Sequence, residues 1–328
     1  MSAATPVLVT GAGGFIGSHL VERLVREGYR VRAFVHYNSS NNWHHVDRLP
    51  AEVRRELEVL PGDIADPFVV DRAVRGCELV FHLASLIAIP YSYAAPASYV
   101  STNVVGTLHL MQACRTHGVR RVIHTSTSEV YGTARYEPID EQHPLVGQSP
   151  YSASKIAADQ LAESFHRSFE LPVCVVRPFN TYGPRQSARA IIPTIVCQAL
   201  AGQTVRLGNL DPVRDFTYVE DTVSGFLAAA RSDGAVGETI NLGCGSGVSV
   251  AELIERVGAI LGRTLPVERE ERRVRPERSE VMRLICDNRK AHSLIGWRPT
   301  VDLDAGLRRV VDYVSEHPGE YKPEVYNL

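Results

Sequence analysis

A short apolar run, Val7–Val9, breaks at Gly11 and gives way within a few residues to an amphipathic stretch, Phe15–Glu27. In that stretch Ile16, Leu20 and Leu24 share one helical face. Between the two lies Gly11-Ala12-Gly13-Gly14-Phe15-Ile16-Gly17. A strand, a glycine turn and a helix in this order admit few folds. Gly11 allows the tight turn, Gly14 lets backbone approach a pyrophosphate, and Gly17 permits close packing of helix on sheet. The helix N-terminus, opening at Phe15 and Ile16, then offers amide N–H groups and a positive dipole end to phosphates. A lone glycine triplet is weak, but the strand before and the helix after make it a dinucleotide loop rather than an ordinary turn.

The same alternation continues. Val31–Val35, Leu79–Leu83, Arg121–His124 and Val173–Arg177 read as strands, with a helical stretch at Val104–His117. Strands alternating with helices imply an α/β fold, a Rossmann-type doubly wound parallel sheet with right-handed crossovers. After Asn180 the alternation loosens. Asn180–Pro184 reads as a loop, and Leu265–Pro276 is rich in proline and arginine. The expected division is a dinucleotide-binding domain over 1–180, with a return segment around 215–245. A smaller α/β C-terminal substrate-binding lobe over 181–328 would cover the carboxyl edge of the sheet, where ligands bind in such folds.

Composition narrows the function. The net charge of −2 leaves no electrostatic footprint for nucleic acid or an anionic membrane. No run approaches the roughly 18 apolar residues of a membrane span. The Val7–Ile16 stretch lacks the basic flank of a signal peptide. Six scattered cysteines, none in C-x-x-C spacing, suggest reduced thiols in a cytoplasmic protein and no metal site.

The end of the second strand is where a carboxylate would accept from the ribose 2′-OH of NAD. Here Val35 is followed by His36-Tyr37-Asn38-Ser39. His36, Asn38 and Ser39 are therefore candidate ribose contacts. No carboxylate repels a 2′-phosphate and no arginine follows to bind one, so the cofactor is NAD or NADP, with the balance towards NADP. Asp63-Ile64, after the next strand, resembles the adenine contact of the short-chain dehydrogenase/reductase superfamily; a helix cap or turn carboxylate is the equal alternative.

Tyr151-Ser152-Ala153-Ser154-Lys155 opens an amphipathic stretch. The spacing puts Tyr151 and Lys155 on one helix face, one turn apart. A free phenol, with a pKa of about 10, is a poor base at neutral pH. An ammonium and a nicotinamide cation beside it would favour the phenolate and make it an acid/base. The chain has 35 basic residues, yet only Lys155, Lys290 and Lys322 are lysines. A lysine in this position, where arginine is otherwise the rule, points to a compact ammonium reaching ribose hydroxyls and phenol.

Thr125-Ser126-Thr127-Ser128-Glu129-Val130-Tyr131-Gly132 follows the Arg121–His124 strand and therefore enters the cleft. Thr127 can hydrogen-bond a sugar O4 and hold it against Tyr151. Glu129 carries more information. Epimerisation at C4 needs no extra carboxylate, whereas loss of water across C5 and C6 needs a base for one proton and an acid for the hydroxyl. A helix cap is the bland alternative for Glu129.

These motifs, with Arg177-Pro178-Phe179-Asn180-Thr181-Tyr182-Gly183-Pro184-Arg185 and Arg214-Asp215-Phe216, resemble the extended short-chain dehydrogenase/reductases that act on nucleotide sugars. The likeness runs over nearly the whole chain. Within that group the chain looks most like nucleotide-sugar 4,6-dehydratases of the legionaminic acid pathway type, which act on a nucleotide-linked N-acetylglucosamine. Leu86-Ile87-Ala88-Ile89-Pro90-Tyr91-Ser92-Tyr93 and Gln186-Ser187-Ala188-Arg189-Ala190-Ile191-Ile192-Pro193 carry the closer likeness.

The resemblance implies that Leu83 and Ala84 touch the cofactor and that Ile87 and Arg185 lie at the substrate. It makes Asn180 and Arg214 contacts to the substrate diphosphate, and Arg278 a contact on the nucleotide side. Arginine forks suit diphosphate oxygens. It also implies a homodimer through a four-helix interface built from Val104–His117 and Tyr151–Phe169. Glucose-type dTDP dehydratases carry an aspartate where this chain has Ser128; GDP-mannose dehydratases resemble this chain in using serine. A serine donates a proton poorly at neutral pH, which leaves that task to Glu129. Nucleotide-glucuronate decarboxylases can show the same Thr-Ser-Glu run.

The reaction expected is therefore a 4,6-dehydration in which Thr127, Ser128, Glu129, Tyr151 and Lys155 form the catalytic group. The nicotinamide would stay tightly bound and be regenerated in each turnover. A uronic acid decarboxylase or a 4-epimerase stands as the enzymatic alternative. A non-catalytic, dinucleotide-sensing binding protein is the other, although a sensor has no need for Tyr151, Lys155 and Glu129 together.

Overall fold

The computed structural model describes residues 5–274 and 276–325. Seven parallel strands form the main sheet: β1 (Pro6–Thr10), β2 (Arg30–His36), β3 (Leu57–Gly62), β4 (Leu79–His82), β5 (Arg121–Thr125), β6 (Val173–Pro178) and β7 (Thr239–Leu242). Their order is β7-β6-β5-β4-β1-β2-β3. The order reverses at β1, which pairs with β2 on one side and β4 on the other. A crevice opens at the carboxyl ends of the strands at such a reversal.

Side chains alternate across the sheet. Val7 and Val9 join one core and Leu8 the other. Helices α1 (Phe15–Arg26) and α5 (Val219–Arg231) supply Leu20, Leu24, Phe226 and Leu227 to the first core. Helices α2 (Pro67–Val74), α3 (Gly106–Thr116) and α4 (Pro150–Phe169) supply Val70, Leu110, Met111 and Phe165 to the second. The sheet is thus covered on both faces, as its near-continuous apolar strands require.

After β6 the chain leaves the sheet, returns through α5 and adds β7 beside β6. The rest builds small sheets of its own. Val213–Arg214 lies between Val248–Ser249 and Arg283–Leu284. This part reaches the loops at the sheet's carboxyl edge: Ser279 Oγ donates to the Gln148 carbonyl at 2.9 Å.

Two local expectations are corrected. Asn180–Pro184 is not simply a loop, because Asn180–Tyr182 pairs in parallel with Phe216–Tyr218. A three-residue strand is too short to show a period; Tyr182 and Tyr218 hold it by burying their rings at 5.6 Å. The helical stretch before Gly106 is wound as a π-helical turn, Val100–Val105. Asn103 sits in this wider turn, 1% exposed, with its amide turned inward. Among the described residues, no helix is long and apolar enough to cross a membrane.

Candidate active site

Helix α4 carries the Tyr/Lys pair. Ser149 caps it, accepting from Ser152 N while Ser152 Oγ accepts from Ser149 N, and Pro150 fills the first turn. These caps satisfy N–H groups that would otherwise be orphaned, and they fix where the helix starts. Tyr151 and Lys155 follow on one face, 7% and 4% exposed. Tyr151 packs edge-on against Tyr99, ring centres 6.2 Å apart. Lys155 Nζ donates to the Thr125 carbonyl at 2.6 Å.

Burial acts on both groups in the direction that disfavours charge. It pushes the Tyr151 phenol up; the Thr127 hydroxyl pulls it back and the Glu129 carboxylate pushes it further up. It brings the Lys155 ammonium down to about 8, against the opposing pull of Asp159. The phenolate therefore needs an added positive charge beside it.

At the end of β5, Thr127 caps a short 3-10 turn, Ser128–Tyr131, its hydroxyl accepting from Glu129 N at 3.2 Å. Gly132 ends the turn at φ 63. Ser128 is buried and Glu129 half-buried. The structure thus brings Thr127, Glu129, Tyr151 and Lys155 together, with the Glu129 charge felt at the phenol.

The glycine loop is shaped for a dinucleotide. Gly11 has φ 70, and a Cβ there would lie 2.9 Å from Ala84 N. A Cβ on Gly17 would lie 2.1 Å from the Gly11 carbonyl oxygen. Gly14 caps α1 without a side-chain hydrogen bond, so the first N–H groups of the helix, at Phe15, Ile16 and Gly17, have no capping side chain. Such an end suits a pyrophosphate. Thr10 Oγ1 accepts from Leu83 N and Ala84 N, both at 3.1 Å, which seats the β4 end against the loop. Asp63 accepts from Ala65 N at 2.9 Å, so its carboxylate makes a turn, while Ile64 is buried under Gly106.

His36 and Ser39 are exposed. The Asn38 side chain is folded onto its own loop, donating to the Asn42 carbonyl at 2.9 Å and accepting from Ser40 N at 2.9 Å. No arginine lies between 36 and 44. The nearby Arg32 donates instead to the Ala73 and Arg75 carbonyls at 2.6 and 3.0 Å. The balance towards NADP thus finds no guanidinium to hold a 2′-phosphate.

On the other side of the crevice, Asn180 starts its short strand with Oδ1 buried and without a hydrogen-bond partner among the described residues. Arg214 is 7% exposed, donates to the Val213 carbonyl at 3.1 Å and stands 3.6 Å from Glu280. Arg278 and Ile87 are exposed. Arg275, in the same motif as Arg278, lies outside the described residues. The Arg185 guanidinium donates to Glu22 at 2.9 Å and to His19, both on α1. These contacts fasten the Pro184 turn to that helix.

Two polar residues at the site escape a reading of spacing and motif. Asn103 donates to Ser154 Oγ at 2.9 Å and to the Leu86 carbonyl at 3.0 Å, and accepts from Leu86 N at 2.8 Å. Asp159, one turn beyond Lys155, is fully buried. A lone Asp in a helix reads as solvated; the available signal was the regular spacing Tyr151, Lys155, Asp159 on a single face.

The model of the GDP-mannose 4,6 dehydratase family matches residues 8–310. A dTDP-glucose 4,6-dehydratase of Streptomyces griseus is 35% identical over 330 residues, spanning 98% of this chain and 97% of the relative. A UDP-glucose 4-epimerase of Mycolicibacterium smegmatis is 34% identical over 314 residues, spanning 93% and 97%. The crystal structure of the dTDP-glucose 4,6-dehydratase DesIV from Streptomyces venezuelae, with NAD and TYD bound, superposes with a TM-score of 0.87 at 31% identity, covering 97% of this chain and 99% of that one. On the strength of a glycine cradle, a buried Tyr/Lys pair and matches over nearly its full length, the chain belongs to the GDP-mannose 4,6-dehydratase-type family of extended short-chain dehydrogenase/reductases, the nucleotide-sugar dehydratases and epimerases.

Proposed function

We propose that this protein is a nucleotide-sugar 4,6-dehydratase, converting a nucleoside-diphosphate hexose to its 4-keto-6-deoxy form. The observation that supports this reading is the Glu129 carboxylate on the Thr127-capped turn, whose charge bears on the Tyr151 phenol. Oxidation at C4 alone has no use for that carboxylate.

The cofactor we propose is NAD, held by Gly11, Gly14 and Gly17 with the amides at the start of α1. When bound, a nicotinamide supplies hydride acceptance from C4, hydride return to C6, and a positive charge near the phenol. Tyr151 takes the O4 proton while Thr127 holds O4, and Lys155 stabilises the phenolate. The resulting ketone acidifies C5–H. Glu129 removes that proton and delivers it to the C6 hydroxyl, which departs as water; with hydride returned to C6, C5 takes up a proton again, balanced by the one that Tyr151 took from O4 and then releases. Asn180, Arg214 and Arg278 would hold the diphosphate and nucleotide. We place the reaction in the cytoplasm, in a homodimer formed through α3 and α4.

Incubation with a panel of nucleotide sugars, N-acetylglucosamine derivatives first, tests the reading by product mass. Loss of water supports it. Loss of carbon dioxide or an unchanged mass with inverted C4 would replace it with decarboxylation or epimerisation.

A further inference from the structure

Behind the catalytic pair lies a second polar cluster, sealed from solvent. Asp159 Oδ2 accepts from Ser126 Oγ at 2.6 Å and from Arg177 Nε and Nη2 at 3.2 and 3.1 Å. Its Oδ1 is 3.2 Å from His124 Nε2. Arg177 donates onward to the Tyr131 hydroxyl at 3.1 Å, which donates to Asn241 at 2.7 Å. Asp159 and His124 are 0% exposed and Arg177 3%. A buried ion pair is weak grounds for stability, since apolar residues of similar volume often serve as well. Its placement suggests another use. Lys155 and Asp159, successive turns of α4, grip Thr125 and Ser126, successive residues of the β5 end. Thr127 comes next.

The groups around the ammonium are of few kinds. On α4 they are Asp159 and, one turn before it, Tyr151; on β5, His124; on β4, His82; Arg177 on β6 acts on Asp159 and Glu129 on the 3-10 turn acts on Tyr151. His82 is neutral by its bonds. Thr10 Oγ1 accepts from two amides, so its proton goes to His82 Nδ1 at 2.9 Å, and His82 Nε2 donates to Thr107 at 3.0 Å. Burial also keeps His124 low. Asp159 is thus the carboxylate whose charge reaches Lys155 from behind.

We propose that Asp159 is a positioning residue for the Tyr151/Lys155 pair: its carboxylate ties the catalytic helix to the end of β5 and supplies the negative charge against which the Lys155 ammonium is held. This rests on Tyr151 and Lys155 being catalytic and holds whichever reaction follows C4 oxidation.

The chain's three lysines make a direct test practical. Protein labelled with 13Cε-lysine gives three signals, and the one lost in Lys155→Met reports its titration. Asp159→Asn should lower the Lys155 midpoint by about one pH unit or more. In the same variant, substrate-dependent nicotinamide reduction should slow by roughly tenfold or more, its alkaline limb should move to lower pH, and KM should hold. If Asp159→Asn alone does not fold, the pair Asp159→Asn/Arg177→Gln, which also removes an opposing cation, should show a smaller fall in the Lys155 midpoint in the same direction. An unchanged Lys155 midpoint in either folded variant would overturn the proposal. A midpoint that falls while the rate profile stays put would instead overturn the catalytic reading of Lys155 and leave the placement by Asp159 standing.

Discussion

The Lys155 ammonium is hydrogen-bonded to the carbonyl of Thr125, 2.6 Å away, and so is anchored to the last residue of β5. Burial lowers this ammonium to about 8. The active form of Lys155 is the protonated one, so C4 oxidation should fall as pH rises through that value. Lys155→Arg should not restore the wild-type rate. A planar guanidinium does not fit a slot built for one compact donor, and the expected loss is roughly 10²-fold or more. Single-turnover nicotinamide absorbance between pH 6 and 10 checks both.

The closest approach in the cofactor loop is at Gly17. A Cβ there would sit 2.1 Å from the Gly11 carbonyl oxygen, and its three nearest neighbours are all backbone atoms of Gly11 and Ala12. Gly17→Ala should therefore destabilise the fold by about 1–3 kcal/mol and spoil the cradle. Wild-type protein should purify with NAD bound and consume no added NADH during turnover, while Gly17→Ala should purify without it. Cofactor released on denaturation, measured by chromatography, decides this.

Arg185 separates a structural arginine from a binding one. It sits at φ 68, a region that costs a non-glycine residue energy, and is held there by Glu22 and His19. Arg185→Ala should lower stability by about 1–3 kcal/mol and leave KM for the nucleotide sugar within about twofold. A large rise in KM at unchanged melting temperature would return Arg185 to the substrate.

Leu108 on α3 and Phe169 on α4 are 39% and 44% exposed, and the Arg115 guanidinium lies 3.9 Å from the Phe169 ring centre. Large apolar groups left on two neighbouring helices suit a two-fold four-helix contact. Light scattering at micromolar concentration should give a dimer mass, and Leu108→Glu should shift it towards monomer.

Five of the seven main-sheet strands were legible because they are largely buried on both faces, whereas the two edge strands, the half-exposed β3 and the late-returning β7, were given no bounds; β1 and α1 lie within a residue of where Val7–Val9 and Phe15–Glu27 placed them. Tyr151 and Lys155 were legible because helical spacing alone brings them together. The Asn180–Tyr182 strand was not, since three residues have no period and the pairing partner, Phe216, is distant in sequence. Nor was the partner of Asp159, because its bond to Arg177 joins residues that only the sheet brings near. The contacts of Arg185 were hidden for the opposite reason: the motif suggested a substrate role, whereas the left-handed turn after Gly183 brings its guanidinium onto α1.

Stopped-flow absorbance of Glu129→Gln after addition of a nucleotide hexose that the wild type dehydrates tests the dehydratase reading most directly. Gln keeps the size and hydrogen bonding of Glu but cannot take the C5 proton, and loss of a general base costs roughly 10²–10⁴ in rate. Reduced nicotinamide should appear and persist, water loss should nearly stop, and C5 exchange with deuterated solvent should fall with it; Tyr151→Phe should suppress the absorbance rise itself. Dehydration by Glu129→Gln at near wild-type rate would contradict the role given to Glu129 and favour an epimerase.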